Sequence, residues 1–407
     1  MSGWFTTFLN CRLCIDGQLV EDQFVVSDDT GLILPRTGYI GGDAVDLEGG
    51  IIAPGFLELQ TNGLLGFHFT HSDGNDGGKE RYGREVEKVA KYLVTQGVTG
   101  FWATVPTVSV EGFKKILPSL APREIPRCAS LLGAHAEGPY LHPSKKGAHN
   151  ASLFQPATQP PSTTYGPTGN SSSTLKLVTL APELESASSL IKELRKKDIR
   201  VSLGHSAASY EQGLAGLRAG ATCLTHTLNA MAPLHHRDPG LAGLICAPPS
   251  SPSSPAATTP SPYFTIIPDG HHLHPSVATL LYRANPARCI LITDSIELAG
   301  LPDGVYPGHA QIPHPQRKSG SRVTIDGTET LIGGCASLQE CVRNLVRWSG
   351  CGVAEAVKCV TENVAEMMGE GMRGRLEAGR RADFVVLSEE GEVLQTWVAG
   401  VKVWEKG

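Results

Sequence analysis

The chain alternates short apolar runs with longer stretches whose apolar residues recur every three or four positions. The short runs are "IIAPGFLELQ", "VTGFWATV", "CASLLGAHAEG", "LKLVTLAPE", "IRVSLGHS", "ATCLTHTLN", "YFTIIPDGHH" and "CILITDS". Each has the length and the partly β-branched content of a buried strand, and each ends in a polar tip. Between them lie segments such as "REVEKVAKYLVTQG", "ASSLIKELRKKD" and "PSVATLLYRAN", with helical spacing and Gly or Asn near their ends as stop signals. Eight strand-then-helix units predict an α/β chain folded as a (β/α)8, TIM-like barrel.

The flanks read differently. Residues 1–53 and 373–407 are short strands and turns, as in "CRLCIDGQLVEDQFVVS" and "RADFVVLSEEGEVLQTWVAGVKVW". Neither is long enough to bury much by itself. The expectation is a small β-sandwich domain formed from both chain ends, with the barrel, residues 54–372, inserted between. Two segments rich in Pro, Ser and Thr, 155–174 and 248–262, read as surface loops without apolar anchors.

Composition narrows the function. With 41% apolar and 18% charged residues over 407 positions, the chain can bury a sizeable core. A formal net charge of -5 leaves no general basic field, so nucleic acid and anionic membrane surfaces are poor partners. An anionic substrate would need a local cationic pocket. The N-terminus lacks a basic region followed by a long apolar core, and no run approaches the length of a membrane span, so the expected setting is cytoplasmic. The ten cysteines are scattered through apolar runs and read as reduced thiols. Cys11 and Cys14 have redox or metal spacing, but no second pair completes a zinc site.

The polar tips carry the candidate chemistry. They are Gln60, Thr104, Glu137, Glu183, His205, His226, Asp269 with His272, and Asp294, all at carboxyl ends of strands, where barrel active sites sit. Burying an unpaired carboxylate is costly, so Glu137 calls for a cation beside it. Glu137, His205 and His226 offer one carboxylate and two imidazoles, a catalytic zinc-type set with a position left for water. Asp294, followed by Ser, suits a helix N-cap, and beside a metal it suits a base that takes a proton from that water and returns it to a leaving amine. His149, on the loop after Glu137, is either an exposed loop imidazole or a group that polarises a substrate carbonyl or binds its hydroxyls.

"HAEGP", "KKGAHN", "LAPE", "SLGHS", "THTLNAM", "HHRDPGLAG", "DGHH", "TDS" and "GRLEAGRRADFVVL", in this order across nearly the whole chain, resemble N-acetylglucosamine-6-phosphate deacetylases of the amidohydrolase superfamily. The resemblance implies that the metal ligands are Glu137, His205 and His226, that the catalytic aspartate is Asp294, and that His149 helps polarise the acetyl carbonyl. It further implies that Asn229 and Ala230 lie along the sugar phosphate, and that Arg237 and His272 grip the phosphate, with Arg237 reaching across a homodimer interface. Many amidohydrolases end their first strand in His-x-His and hold two metals, whereas this chain has Gln60 and Asn62. Amides are poor ligands for zinc-type ions, so one divalent ion per chain is expected: zinc first, with Fe, Co or Mn also suited. Gln60 is then left to orient water or substrate, and the spacing of His68 and His71 does not suit a second site. The implied substrate is a small amino-sugar phosphate. The alternatives are an amidohydrolase acting on another N-acyl sugar phosphate or a cyclic amide, and a non-catalytic scaffold.

Overall fold

The computed structural model describes residues 4–37, 42–71, 78–246, 260–309 and 312–407. All eight apolar runs form strands of one parallel sheet, each paired with the next: β1 (Phe56–Thr61), β2 (Val98–Pro106), β3 (Ser130–Glu137), β4 (Leu175–Leu180), β5 (Arg200–Leu203), β6 (Cys223–Leu224), β7 (Tyr263–Ile266) and β8 (Cys289–Leu291). The seam between β8 and β1 closes through Asp294 N–H donating to Gln60 O (3.0 Å) and Asn62 N–H donating to Ser295 O (2.7 Å). The barrel is therefore of the (β/α)8 type, and its seam falls where Gln60, Asn62 and Asp294 meet.

The helices follow from their sequence. Gly78–Leu93 turns Val86, Val89, Ala90 and Leu93 into the core, the spacing of one helical face. Tyr210–Ala219 opens on a capping box, Ser209 with Gln212, and ends at Gly220 in a left-handed conformation. No helix among the described residues is long and apolar enough to cross a membrane.

Strands from both chain ends share one six-stranded sheet, in which Ile51–Pro54 pairs antiparallel with Phe384–Leu387. A three-stranded sheet (Phe24–Ser27, Phe5–Leu9, Asp43–Asp46) completes the sandwich. Between the two sheets, the Phe8 ring meets Phe384 and Trp397 edge-on at 5.2 and 5.0 Å, close enough for favourable aromatic contacts. After β8 the chain adds a four-stranded antiparallel sheet (Gly304–Tyr306, Gln316–Ser319, Arg322–Ile325, Leu331–Gly334) that the strand-then-helix pattern does not anticipate.

The segment 155–174 departs from its expectation as an unanchored surface loop. It forms the short helix Pro161–Tyr165 and buries Tyr165 completely, with its ring 5.2 Å from Phe113 and 5.9 Å from Tyr140. The Tyr165 hydroxyl donates to Gly138 O at 2.9 Å, one residue past Glu137. A composition average hides the effect of one aromatic residue. Residues 248–259 of the second segment lie outside the described residues.

Tyr165→Ala is expected to cost about 3–5 kcal/mol by opening a cavity. Tyr165→Phe should cost about 1–3 kcal/mol by leaving a buried carbonyl unpaired. Urea denaturation measures both, and wild-type stability in both variants would show that the segment is not anchored there.

Candidate active site

Glu137 ends β3 at 3% exposure, and His205 and His226 follow β5 and β6. Glu137 Oε1 lies 3.0 Å from His226 Nε2 and 3.3 Å from His205 Nε2, and the two Nε2 atoms are 3.2 Å apart. His205 Nδ1 is 2.8 Å from Lys145 O, and His226 Nδ1 is 3.2 Å from Asn229 O. A carbonyl oxygen only accepts, so each Nδ1 carries the proton and each Nε2 presents a lone pair. Two lone pairs and a carboxylate oxygen thus converge with no proton among them in the neutral rings. That donor set fits a divalent cation, with the outer nitrogens bonded as metal-ligating imidazoles require. Among the described residues it is the only group of three whose ligand atoms all lie within 4.8 Å of one another.

Burial alone would raise the Glu137 carboxyl, but the close approach of His149, His205 and His226 holds it well below the ordinary carboxylate range. Burial, reinforced by His149, pushes His205 down to about 4 and keeps it neutral. His226 is buried too, yet its contact with Glu137 raises it, so a proton is the natural stand-in where a cation belongs. His205, His226, Ala230 and Asp294 all have positive φ (47°, 31°, 48° and 46°). Non-glycine residues in that region cost about 1–3 kcal/mol each, and such strain clusters at functional sites.

Asp294 does not cap a helix. Its Oδ1 accepts from Asn62 Nδ2 (2.8 Å) and Gln60 Nε2 (3.2 Å), and Gln60 Nε2 also lies 2.9 Å from Glu137 Oε1. Burial, and then the charge of Glu137, raise the Asp294 carboxyl, which makes it a better proton acceptor. His149 shows the opposite tautomer to the ligand pair. Thr107 N–H donates to its Nδ1 (3.2 Å), so the proton sits on Nε2, 3.6 Å from Glu137 Oε2. A Cβ at Gly138 would fall 2.3 Å from Thr107 Oγ1, so only glycine lets the ends of β2 and β3 approach this closely. His272 Nδ1 lies 2.7 Å from Asp269 Oδ2, and Asp269 Oδ1 accepts the backbone N–H groups of His271 and His272.

A cavity of about 270 Å³ gathers Glu137, His149, His205, His226, Asn229, Ala230, His272 and Asp294. Gln60 and Arg237 stand outside it. Gln60 sits behind, tying Glu137 to Asp294, and Arg237 is exposed on the loop after β6. Of the other strand tips, Glu183 holds the turn after β5 through Ala207 N–H (2.6 Å), and Thr104 bonds His135 inside the barrel (3.2 Å). Sequence reasoning missed Thr107 and the support that Asp269 gives His272. No motif marks the first, whereas "DGHH" carries the spacing of the second. His68 is no metal ligand: Thr70 N–H donates to its Nδ1 at 3.2 Å, which puts the proton on Nε2.

The model of the amidohydrolase family matches residues 144–403. The chain belongs to the amidohydrolase family. Within that family it is similar to sugar-phosphate deacetylases. The N-acetylglucosamine-6-phosphate deacetylase of Danio rerio is 36% identical, covering 98% of this chain and 97% of its own length. The N-acetylgalactosamine-6-phosphate deacetylase of Escherichia coli O157:H7 is 35% identical over 95% of each. The N-acetyl-D-glucosamine-6-phosphate deacetylase of Mycobacterium smegmatis, solved as a mutant in complex with N-acetyl-D-glucosamine-6-phosphate, superposes with a TM-score of 0.81 at 25% identity, covering 99% of this chain and 100% of its own.

Protein purified without chelators is expected to carry divalent metal, and His205→Ala should retain at least about tenfold less. Acidification should release it as the ligands take up protons. Elemental analysis across pH measures this, and equal metal in the variant would remove His205 from the ligand set.

Proposed function

We propose that this amidohydrolase hydrolyses the acetamide of N-acetyl-D-glucosamine 6-phosphate to D-glucosamine 6-phosphate and acetate. The observation that carries the reading is the proton-free cluster at Glu137, with the His149 N–H and the raised Asp294 carboxylate in the same pocket. Glu137, His205 and His226 would hold one divalent ion, zinc first among Zn, Fe, Co and Mn. When bound, such an ion polarises the acetamide carbonyl and eases deprotonation of water. Asp294 takes the proton from the attacking water and delivers it to the departing amine nitrogen. His149 Nε2–H donates to the carbonyl oxygen as negative charge develops there. Gln60 and Asn62 fix the Asp294 carboxylate in place.

The phosphate is read by His272, with Asn229 and Ala230 alongside. A chain of net charge -5 needs a further cation for a phosphate monoester. Arg237 is exposed and away from the cavity of its own chain, which supports a homodimer in which it completes the pocket of a second copy. We read residues 54–372 as the catalytic barrel and residues 1–53 with 373–407 as its sandwich domain. Ten free thiols suit a reducing, cytoplasmic setting. The similarity to an N-acetylgalactosamine-6-phosphate deacetylase gives a second reading, with the C4 epimer as substrate, that comparison of kcat/KM on the two sugars decides.

Acetate release from N-acetylglucosamine 6-phosphate should fall at least about 100-fold in Asp294→Asn with metal content unchanged. Full activity in that variant would exclude Asp294 as the base. Arg237→Ala should raise KM with a smaller effect on kcat, and an unchanged KM would remove Arg237 from the phosphate site.

A further inference from the structure

The pocket wall built by the loops after β8 and β1 carries polar groups that the mechanism leaves unused. His68, 4% exposed, and His309 line the cavity beside Ile296, Ile312 and Leu331, with the two rings 5.6 Å apart. Behind them Glu297 is also 4% exposed. Its Oε1 lies 3.4 Å from His309 Nε2 and accepts from Gln316 Nε2 at 3.0 Å, while its Oε2 has no hydrogen-bond partner among the described residues. The methyl of an acetyl group has no use for imidazoles or a buried carboxylate, so this wall faces something that hydrogen-bonds.

His68 shows which kind of group it is. Thr70 N–H donates to His68 Nδ1 at 3.2 Å, so the ring proton is on Nε2. Burial pushes the ring down to about 3, so it remains a neutral, single N–H donor. Glu297 lies against His309 at ion-pair distance, and His309 packs beside His68, which limits how far that ring can turn. In a pyranose, C2 lies across the ring from C5. With the phosphate on C6 held toward β6 and β7 and the acetamide on C2 over Glu137, the oxygens beside the reacting centre are those on C1 and C3.

We propose that His68, positioned by His309 and Glu297, is a specificity residue whose Nε2–H donates to a ring hydroxyl flanking the acetamide. This rests on the deacetylase reading above. The shared chemistry is a hydroxyl oxygen, and 1-deoxy and 3-deoxy analogues of N-acetylglucosamine 6-phosphate separate its two sources.

The test is kcat/KM of wild type, His68→Leu and His68→Gln on the parent sugar and both analogues. Wild type should lose about fivefold or more on one analogue, and His68→Leu should lose a similar factor on the parent but nothing further on that analogue. His68→Gln, which keeps a donor, should recover part of the loss. Wild-type kinetics alone are enough to overturn the proposal, whatever the variants do: equal kcat/KM on all three sugars means that no flanking hydroxyl is read. A soluble, metal-loaded His68→Leu with unchanged kcat/KM on the parent also overturns it. A metal-loaded wild type inactive on every sugar would instead sink the deacetylase reading itself.

Discussion

Everything at the rim of the barrel is organised around two imidazole nitrogens that face each other at 3.2 Å with no proton between their neutral forms. Lone pairs do not approach that closely without a positive charge to share. The arrangement is imposed from behind, where Lys145 O and Asn229 O claim the Nδ1 protons. Those carbonyls sit on loops bent through left-handed residues, including His226 and Ala230, and the strain is sustained by a closed eight-stranded barrel. The Glu137 carboxylate completes the set because it stays ionised in a place where burial alone would protonate it.

The same chemical group is given two opposite tasks by the backbone atom placed against its Nδ1. A carbonyl there makes His205 and His226 lone-pair donors toward a cation. An amide N–H from Thr107 makes His149 a proton donor, and Thr70 does the same for His68. Main-chain groups do not titrate near neutral pH, so the division of labour is built into the fold rather than set by solution conditions. It also explains why His68 cannot join a second metal centre although imidazoles cluster around it.

Much of this was legible in the sequence, and what was not has a physical reason. Strands and their polar tips show because period and burial are written in residue type, and the eight apolar runs are the eight barrel strands. Glu137, His205, His226 and Asp294 stand out because ionisable residues at the ends of buried strands need partners. Tautomers do not show, since they depend on backbone groups of residues 70, 107, 145 and 229 whose identity is irrelevant. Tyr165 was concealed by the composition of its neighbours. The sheet after β8 was readable in principle, for "SGSRVTIDGTE" alternates between two turn signals, but it falls where a barrel pattern is already complete.

The amides at the end of β1 tie these threads together. Buried Glu137 and half-buried Asp294 are two carboxylates whose charges oppose each other, and Asp294 is raised in part for that reason. Gln60 Nε2 stands between them, 2.9 Å from one and 3.2 Å from the other, and Asn62 adds a second N–H to Asp294. A neutral amide thus supplies, with two partial charges, the bridging that a second cation would supply with two full ones. At this position the carboxylates are met by neutral N–H donors, so no full positive charge cancels the basicity of Asp294. A second metal bound there would have to displace those N–H groups and would take from Asp294 the basicity that proton transfer requires, which is the physical ground for the proposal of a single ion.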